Sequence, residues 1–197
     1  DGRKTLPKGY LTRDILGIDE QVNRCPEKGN CLPDIMEKNV DSKYYVAEEI
    51  EKLLEAWEEF RANVKGLCSP FWLHKAGIGI YDREQYYHDE KIGYQDMPEW
   101  KKIMVMRSRV MYENNSEFID AWIKKHDMQA KILIHQKFEW NCGKDCKSIK
   151  DGIIQIRQSG VRVKRPNYFP SLVAMNNTPI IWDEEVCKFR YFTPKES

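Results

Sequence analysis

Apolar and polar positions follow two different periods along this chain, and the change falls just after Gln129. From Val46 to Val64 the apolar residues Val46, Ile50, Leu53, Leu54, Trp57, Phe60 and Val64 recur at helical spacing, with charge on the opposite face. Gly66 is the expected stop of that helix. A second helical pattern follows Asp96 and Pro98 and carries Trp100, Ile103, Met104, Val110 and Met111 as its apolar stripe. Asn114-Asn115 interrupts it. Ser116 is then the expected N-cap of a third helix bearing Phe118, Ile119, Trp122 and Ile123, with Lys124, Lys125 and His126 placed to suit its dipole. Beyond Gln129 the period shortens to two. Strands are expected at Ile132–Ile134, Gly152–Ile156, Val161–Val163, Leu172–Met175 and Pro179–Trp182. The fold class this predicts is α+β: helical through the first two-thirds, with a small, twisted, mostly antiparallel sheet in the last third. Residues 1–43 read as irregular, with one short helical turn near Thr12 and a Pro- and Gly-punctuated loop from Cys25 to Pro33.

Composition narrows the class. With 197 residues, six Trp and ten Tyr, the chain can bury a sizeable core. Its net charge of +1 argues against a protein that coats nucleic acid along its whole surface, so any such footprint must be local. No apolar run approaches the roughly 18 residues a membrane-spanning helix needs. The opening DGRKTLPKGY is polar, is no signal peptide and lacks an initiator Met, as a piece of a longer protein would.

Motifs for catalysis are scarce. The acidic run through Glu48, Glu49, Glu51, Glu55, Glu58 and Glu59 reads as a solvated helix face. Gly77-Ile-Gly79 lacks the third glycine and the Lys-Ser/Thr of a phosphate loop. His74, His88, His126 and His135 form no HxxxH or HExxH pattern. Six cysteines stand at irregular spacings. Cys142 and Cys146, with Cys25 and Cys31, could form a zinc module, but reduced thiols are the default, so no metal is expected.

One stretch stands apart. From Gly152 to Trp182 there is no Asp or Glu, and Arg157, Arg162, Lys164 and Arg165 fall within it. Ile154 and Ile156, then Val161 and Val163, alternate with Gln155, Arg157, Arg162 and Lys164 about a Ser159-Gly160 turn. This pattern gives a hairpin with one apolar and one cationic face. Arg is shaped to grip phosphate or the edge of guanine through two parallel bonds. On the residues alone, a solvated hairpin and a nucleic-acid surface both remain open.

Several segments in order resemble the DNA (cytosine-5)-methyltransferases of bacterial restriction–modification systems, in the part that follows the catalytic domain. TLPKGYLTRDILG looks like the segment after the catalytic motifs, and DSKYYVAEEIEKLL is similar to the helix leading into the variable region. MPEWKK and MYENNSEFIDAWIKKH resemble a helical insert of one branch. KFEW followed by IIQIRQSGVRVKRPNYFPSLVAM closely resembles that branch's "KFEWQ … QFRPSGIRVKRP…FPALVA" pattern, and CKFRYFTPKES resembles the start of the late "RRLTPRE" motif.

The resemblance implies a target recognition domain. Residues 1–43 would lead in from the catalytic domain. Residues 44–182 would form the recognition domain, helical to about 128 and β-rich from about 129. Residues 183–197 would begin the return segment. The family's Gly-rich cofactor motif, Pro-Cys nucleophile and Glu-Asn-Val triplet are not found in the sequence, and no Cys follows a Pro. The chain alone is therefore expected to be catalytically inactive and to hold no cofactor. The parent enzyme would be a DNA (cytosine-5)-methyltransferase using S-adenosylmethionine. The expected partners are double-stranded DNA and the catalytic domain, for a monomer in the bacterial cytoplasm near the nucleoid. The expected DNA-binding residues are Arg157, Ser159, Arg162, Lys164, Arg165, Ser171 and Asn176, with Arg157 and Arg162 reading bases and Lys164 and Arg165 gripping phosphate. Ser171-Leu172 stands where the family has a Thr-Leu pair; Ser keeps the hydroxyl and loses the methyl. The alternative is a non-catalytic interaction module that docks a partner protein.

Overall fold

The computed structural model describes residues 36–79, 97–143, 146–166 and 178–196. The expected turn at Thr12, the loop at Cys25–Pro33 and the strand at Leu172–Met175 lie outside the described residues.

Three α-helices and six strands are described. Helix α1 (Glu48–Asn63) buries Leu53, Leu54, Ala56, Trp57 and Phe60, the stripe its apolar spacing predicts. Glu48, Glu49 and Glu51 occupy its first turn, where the helix dipole favours them. Its C-cap is Val64, and Gly66 follows with φ of 69°, a left-handed conformation suited to glycine. Helix α2 (Glu99–Glu113) departs from expectation over part of its stripe: Met111 is buried and Met104 packs against the core as expected, while the other three positions do not. It buries Val105, Ser108, Met111 and Tyr112 and leaves Trp100, Ile103 and Val110 exposed. The polar Ser108 disguised the inner stripe. Its hydroxyl donates to Met104 O at 3.0 Å and accepts from Trp72 N at 3.1 Å, so burial leaves it satisfied. Helix α3 (Ser116–Lys125) buries Ile119, Trp122 and Ile123. Its N-cap is Asn115 and not Ser116. The Asn115 side chain accepts from Lys65 N at 2.9 Å and donates to Lys65 O and Met111 O, tying the end of α1 to the α2–α3 corner.

The strands are β1 (Phe71–Trp72), β2 (Lys137–Asn141), β3 (Ile153–Arg157), β4 (Gly160–Lys164), β5 (Ile180–Asp183) and β6 (Lys188–Tyr191). They form one six-stranded sheet in the order β1-β2-β4-β3-β5-β6. Every pairing is antiparallel except β2 with β4, which is parallel. This overturns the expected fold class. The first two-thirds are not simply helical, and the sheet is neither small nor confined to the last third. It is mixed, and its first strand begins at Phe71. Two residues are too few for alternation to show, which hid β1. The expected strand at Ile132–Ile134 is instead the approach to a 3-10 turn, Leu133–Gln136, and the true strand begins one residue later.

The sheet has two unlike faces. Phe138, Val161, Val163, Ile154, Ile180 and Phe189 join the buried residues of all three helices in one core. Trp57 is its centre. Its ring stacks on Phe138 at 4.9 Å and meets Trp122 at 5.0 Å and Phe60 at 5.2 Å, while Nε1 donates to His135 O at 3.1 Å. On the opposite face a smaller cluster joins Ile153, Ile181 and Phe192, with Met36 against it. The rest of that face is polar.

The tight β3–β4 hairpin depends on Gly160, whose φ is 123°. A Cβ there would stand 2.9 Å from Lys137 O on the neighbouring strand. Gly160→Ala is expected to cost about 1–3 kcal/mol for a strained backbone position, read as a lower denaturant midpoint.

Candidate functional site

Alternation along β2, β3 and β4 delivers a row of charged side chains to the polar face. Glu139 of β2 lies opposite Arg162 of β4, which lies opposite Gln155 of β3. Lys137 and Lys164 share the parity of Glu139 and Arg162 and so project to the same side. Arg157 closes the row at the end of β3.

Glu139 is the hub. Its Oε1 accepts from Lys137 Nζ at 2.6 Å. Its Oε2 lies 2.6 Å from both Nε and Nη2 of Arg162, and it accepts from Arg157 Nη2 at 3.2 Å. The Glu139 side chain is only 9% exposed. Burial pushes its carboxyl up, but Lys137 and Arg162 outweigh burial and hold it below the ordinary glutamate value. The cations feel the opposite balance. Burial and then Arg162 lower the Arg157 pKa. Burial, Arg162 and Arg157 lower that of Lys164. Three cations thus contact one carboxylate, Lys164 stands beyond them, and Arg157 and Lys164 are crowded by like charge. Arg157 Nε is buried without an acceptor among the described residues. An acidic ligand laid on this face would relieve both conditions.

A groove of about 760 Å³ runs beside the hub. Trp72, Lys137, Glu139 and Arg162 line it from the sheet, Gln158 and Ser159 from the β3–β4 turn, and Trp100, Lys101 and Met104 from α2. Lys137 Nζ lies 4.7 Å from the centre of the Trp72 ring, a cation–π contact. Trp100 is 54% exposed at the rim. His74 also lines the groove; burial, with Lys75 beside it, lowers its pKa to about 4, so it is neutral at pH 7. The groove therefore offers cations, aromatic faces and hydroxyl or amide donors.

The structure brings Arg157, Arg162 and Lys164 together and sets Ser159 on the groove. It turns Arg165 elsewhere: the chain leaves β4 there, and Arg165 Nε donates to Cys142 O at 3.2 Å. Ser171 and Asn176 lie outside the described residues. Sequence reasoning missed Lys137 and Glu139. The signal was present in KFEW, where Lys137 and Glu139 alternate with Phe138 and Trp140. Cys142 is buried, and burial, with Cys146 beside it, pushes its thiol well up. Among the described residues no group of three or more His, Cys, Asp and Glu is placed to hold a metal ion. No described helix is long and apolar enough to cross a membrane.

No protein-family model matches the chain, and no solved structure matches it. Among curated proteins it is similar to the Type II methyltransferase M.AluI of Cellulosimicrobium cellulans, with 29% identity over 105 residues. The similar region is 52% of this chain and 19% of that protein, so the chain matches about a fifth of its relative's length.

Proposed function

We propose that this chain is the DNA-recognition part of a DNA (cytosine-5)-methyltransferase of a restriction–modification system, acting in the bacterial cytoplasm on double-stranded DNA. The observation that carries the reading is the cationic row of Lys137, Arg157, Arg162 and Lys164 on one face of the sheet. The row borders an aromatic groove, in a chain similar to a type II methyltransferase. Such a row supplies both parts of duplex recognition: point charges for phosphates and planar guanidiniums for base edges in the major groove. An enzyme that modifies cytosine C5 must draw the base out of the stack, and a recognition part selects the site and holds the opened duplex.

Methyl transfer belongs to the parent enzyme, with S-adenosylmethionine as its cofactor. Among the described residues the groove does not fit that cofactor, since Glu139 is its one acid against four cations. Lys75, Lys101, Lys137 and Arg162 line the groove and would repel a sulfonium, and the sequence holds no Pro-Cys pair to supply the family's nucleophile. A second reading, a module that docks a partner protein, draws on the exposed apolar stripe of α2 at Trp100, Ile103 and Val110.

Selection of bound duplexes from a random pool decides between them. The DNA reading expects enrichment of one short sequence; a partner-docking module enriches none. Lys164→Ala then weakens cognate and scrambled duplexes alike and flattens the salt dependence by about one unit. Arg162→Ala costs about 1–3 kcal/mol on the cognate duplex alone. Equal losses on both duplexes for Arg162→Ala would assign it to phosphate.

A further inference from the structure

We infer that Glu139 is a positioning residue for sequence reading: its carboxylate fixes the Arg162 guanidinium against the groove and leaves Arg157 as the loosely held arm. The inference rests on the DNA-recognition reading of this face.

A carboxylate in the middle of a surface that meets a polyanion calls for a reason. It repels phosphate, so it lowers general affinity for nucleic acid. It is also nearly buried, beneath three cations drawn from three different strands. Both its oxygens are occupied, by Lys137 on one side and by the two guanidiniums on the other.

The two arginines are held very differently. Arg162 is engaged twice, at Nε and Nη2, both at 2.6 Å. Two contacts fix the plane of a rigid guanidinium. The Nε–H donates to Oε2 and Nη2 stands in ion-pair contact with the same oxygen, so the Nη1 hydrogens and the outer Nη2 hydrogen face away from Glu139. Those remaining donors are the end-on fork that meets O6 and N7 of guanine. Arg162 also lines the groove, where a ligand can reach it. Among the described residues Arg157 makes one hydrogen bond, at 3.2 Å, and its Nε has no acceptor. It loses little by turning toward a ligand. Glu139 thereby raises the ratio of specific to non-specific binding in two ways. It prepares one reader in advance, and it disfavours indiscriminate phosphate contact.

The test uses the 197-residue chain and its Glu139→Gln and Glu139→Asp variants. Each is put through the random-pool selection and then titrated on the enriched and scrambled duplexes. In parallel, the Nε–Hε resonances of the arginines report how firmly each guanidinium is held. The expected results for Glu139→Gln are a roughly tenfold smaller ratio of enriched to scrambled affinity, tighter scrambled binding at low salt, and loss of the ordered Arg162 resonance. Glu139→Asp keeps the charge and recovers part of the ratio. A Glu139→Gln chain that binds both duplexes more weakly in proportion, with Arg162 still ordered, shows a structural role only and overturns the inference. If the wild-type chain enriches no duplex, the DNA reading falls, and the Arg162 resonance alone still tells whether Glu139 clamps it. If the wild type enriches a duplex and Glu139→Gln reads it equally well, the DNA reading stands and the positioning role falls.

Discussion

Glu196→Ala is expected to lower the unfolding free energy by about 3–5 kcal/mol, the cost of removing one partner from a buried ion pair. Arg190 is fully buried on β6, and its guanidinium donates to two carboxylates and to the backbone carbonyls of Tyr191 and Glu37. Nε donates to Asp183 Oδ2 at 2.9 Å, and Nη1 and Nη2 donate to the two Glu196 oxygens at 2.7 and 2.8 Å. Glu196 also accepts from the backbone N–H groups of Glu37 and Thr193, at 2.7 and 2.8 Å. One truncation therefore strands half of a buried guanidinium and two backbone donors. The Lys195–Glu37 pair nearby is exposed, with Lys195 83% accessible, so Lys195→Ala should leave the denaturant midpoint unchanged.

The same cluster sets an acid limit. Burial pushes the Glu196 carboxyl up, but Arg190 and the Thr193 and Glu37 N–H groups hold it below the ordinary glutamate value of 4.5. Its folded pKa is thus lower than its unfolded one. The stabilisation is complete above the unfolded pKa and is lost as pH falls through the folded one. Chemical denaturation repeated from pH 7 down to pH 3 should show a falling midpoint, and Glu196→Ala should flatten that fall. An unchanged pH profile in the variant would place the acid sensitivity elsewhere.

The second large effect is at Trp57. Trp57→Ala should cost about 3–5 kcal/mol, as removal of a buried aromatic does. The consequence also reaches the opposite face. Trp57 stacks on Phe138, and the residues on either side of Phe138 are Lys137 and Glu139. Loosening the stack frees β2 to shift, and β2 carries the carboxylate that gathers Arg157 and Arg162. Trp57→Phe keeps an aromatic in the stack but loses the bond to His135 O, so it should cost less. Trp100→Ala, at an exposed position, should leave the thermal midpoint unchanged. Equal destabilisation by Trp57→Ala and Trp100→Ala would contradict the placement of this core.

These elements differ in how plainly the sequence announced them. Helix α1 was legible because all its buried positions are apolar. The inner face of α2 was only partly so, since Ser108 sits at its centre and gains its two hydrogen bonds only through tertiary placement. The hairpin of β3 and β4 was legible because its alternation is local and Ser159-Gly160 marks its turn to within one residue; the turn is Gln158-Ser159, and Gly160 opens β4. The parallel pairing of β2 with β4 was not, because it needs β4 to insert between two strands that precede it in the chain. The same non-local step hid the hub. Reading charge along the chain singled out a run without acids, while the acid that organises the run lies 18 residues before Arg157 and 23 before Arg162.

The sheet's margins have a consequence of their own. One outer strand, β1, is two residues long. The other, β6, is capped by an isolated bridge from Tyr45 to Arg190 and by Val46 N donating to Phe189 O. Margins closed in this way give another polypeptide little backbone to zip onto, which guards the chain against stacking into fibres and against strand-swapped pairs. A partner of this sheet would therefore be met by side chains and not by strand backbone, at positions such as Arg162 and Lys164 whose identity the backbone ladder does not dictate.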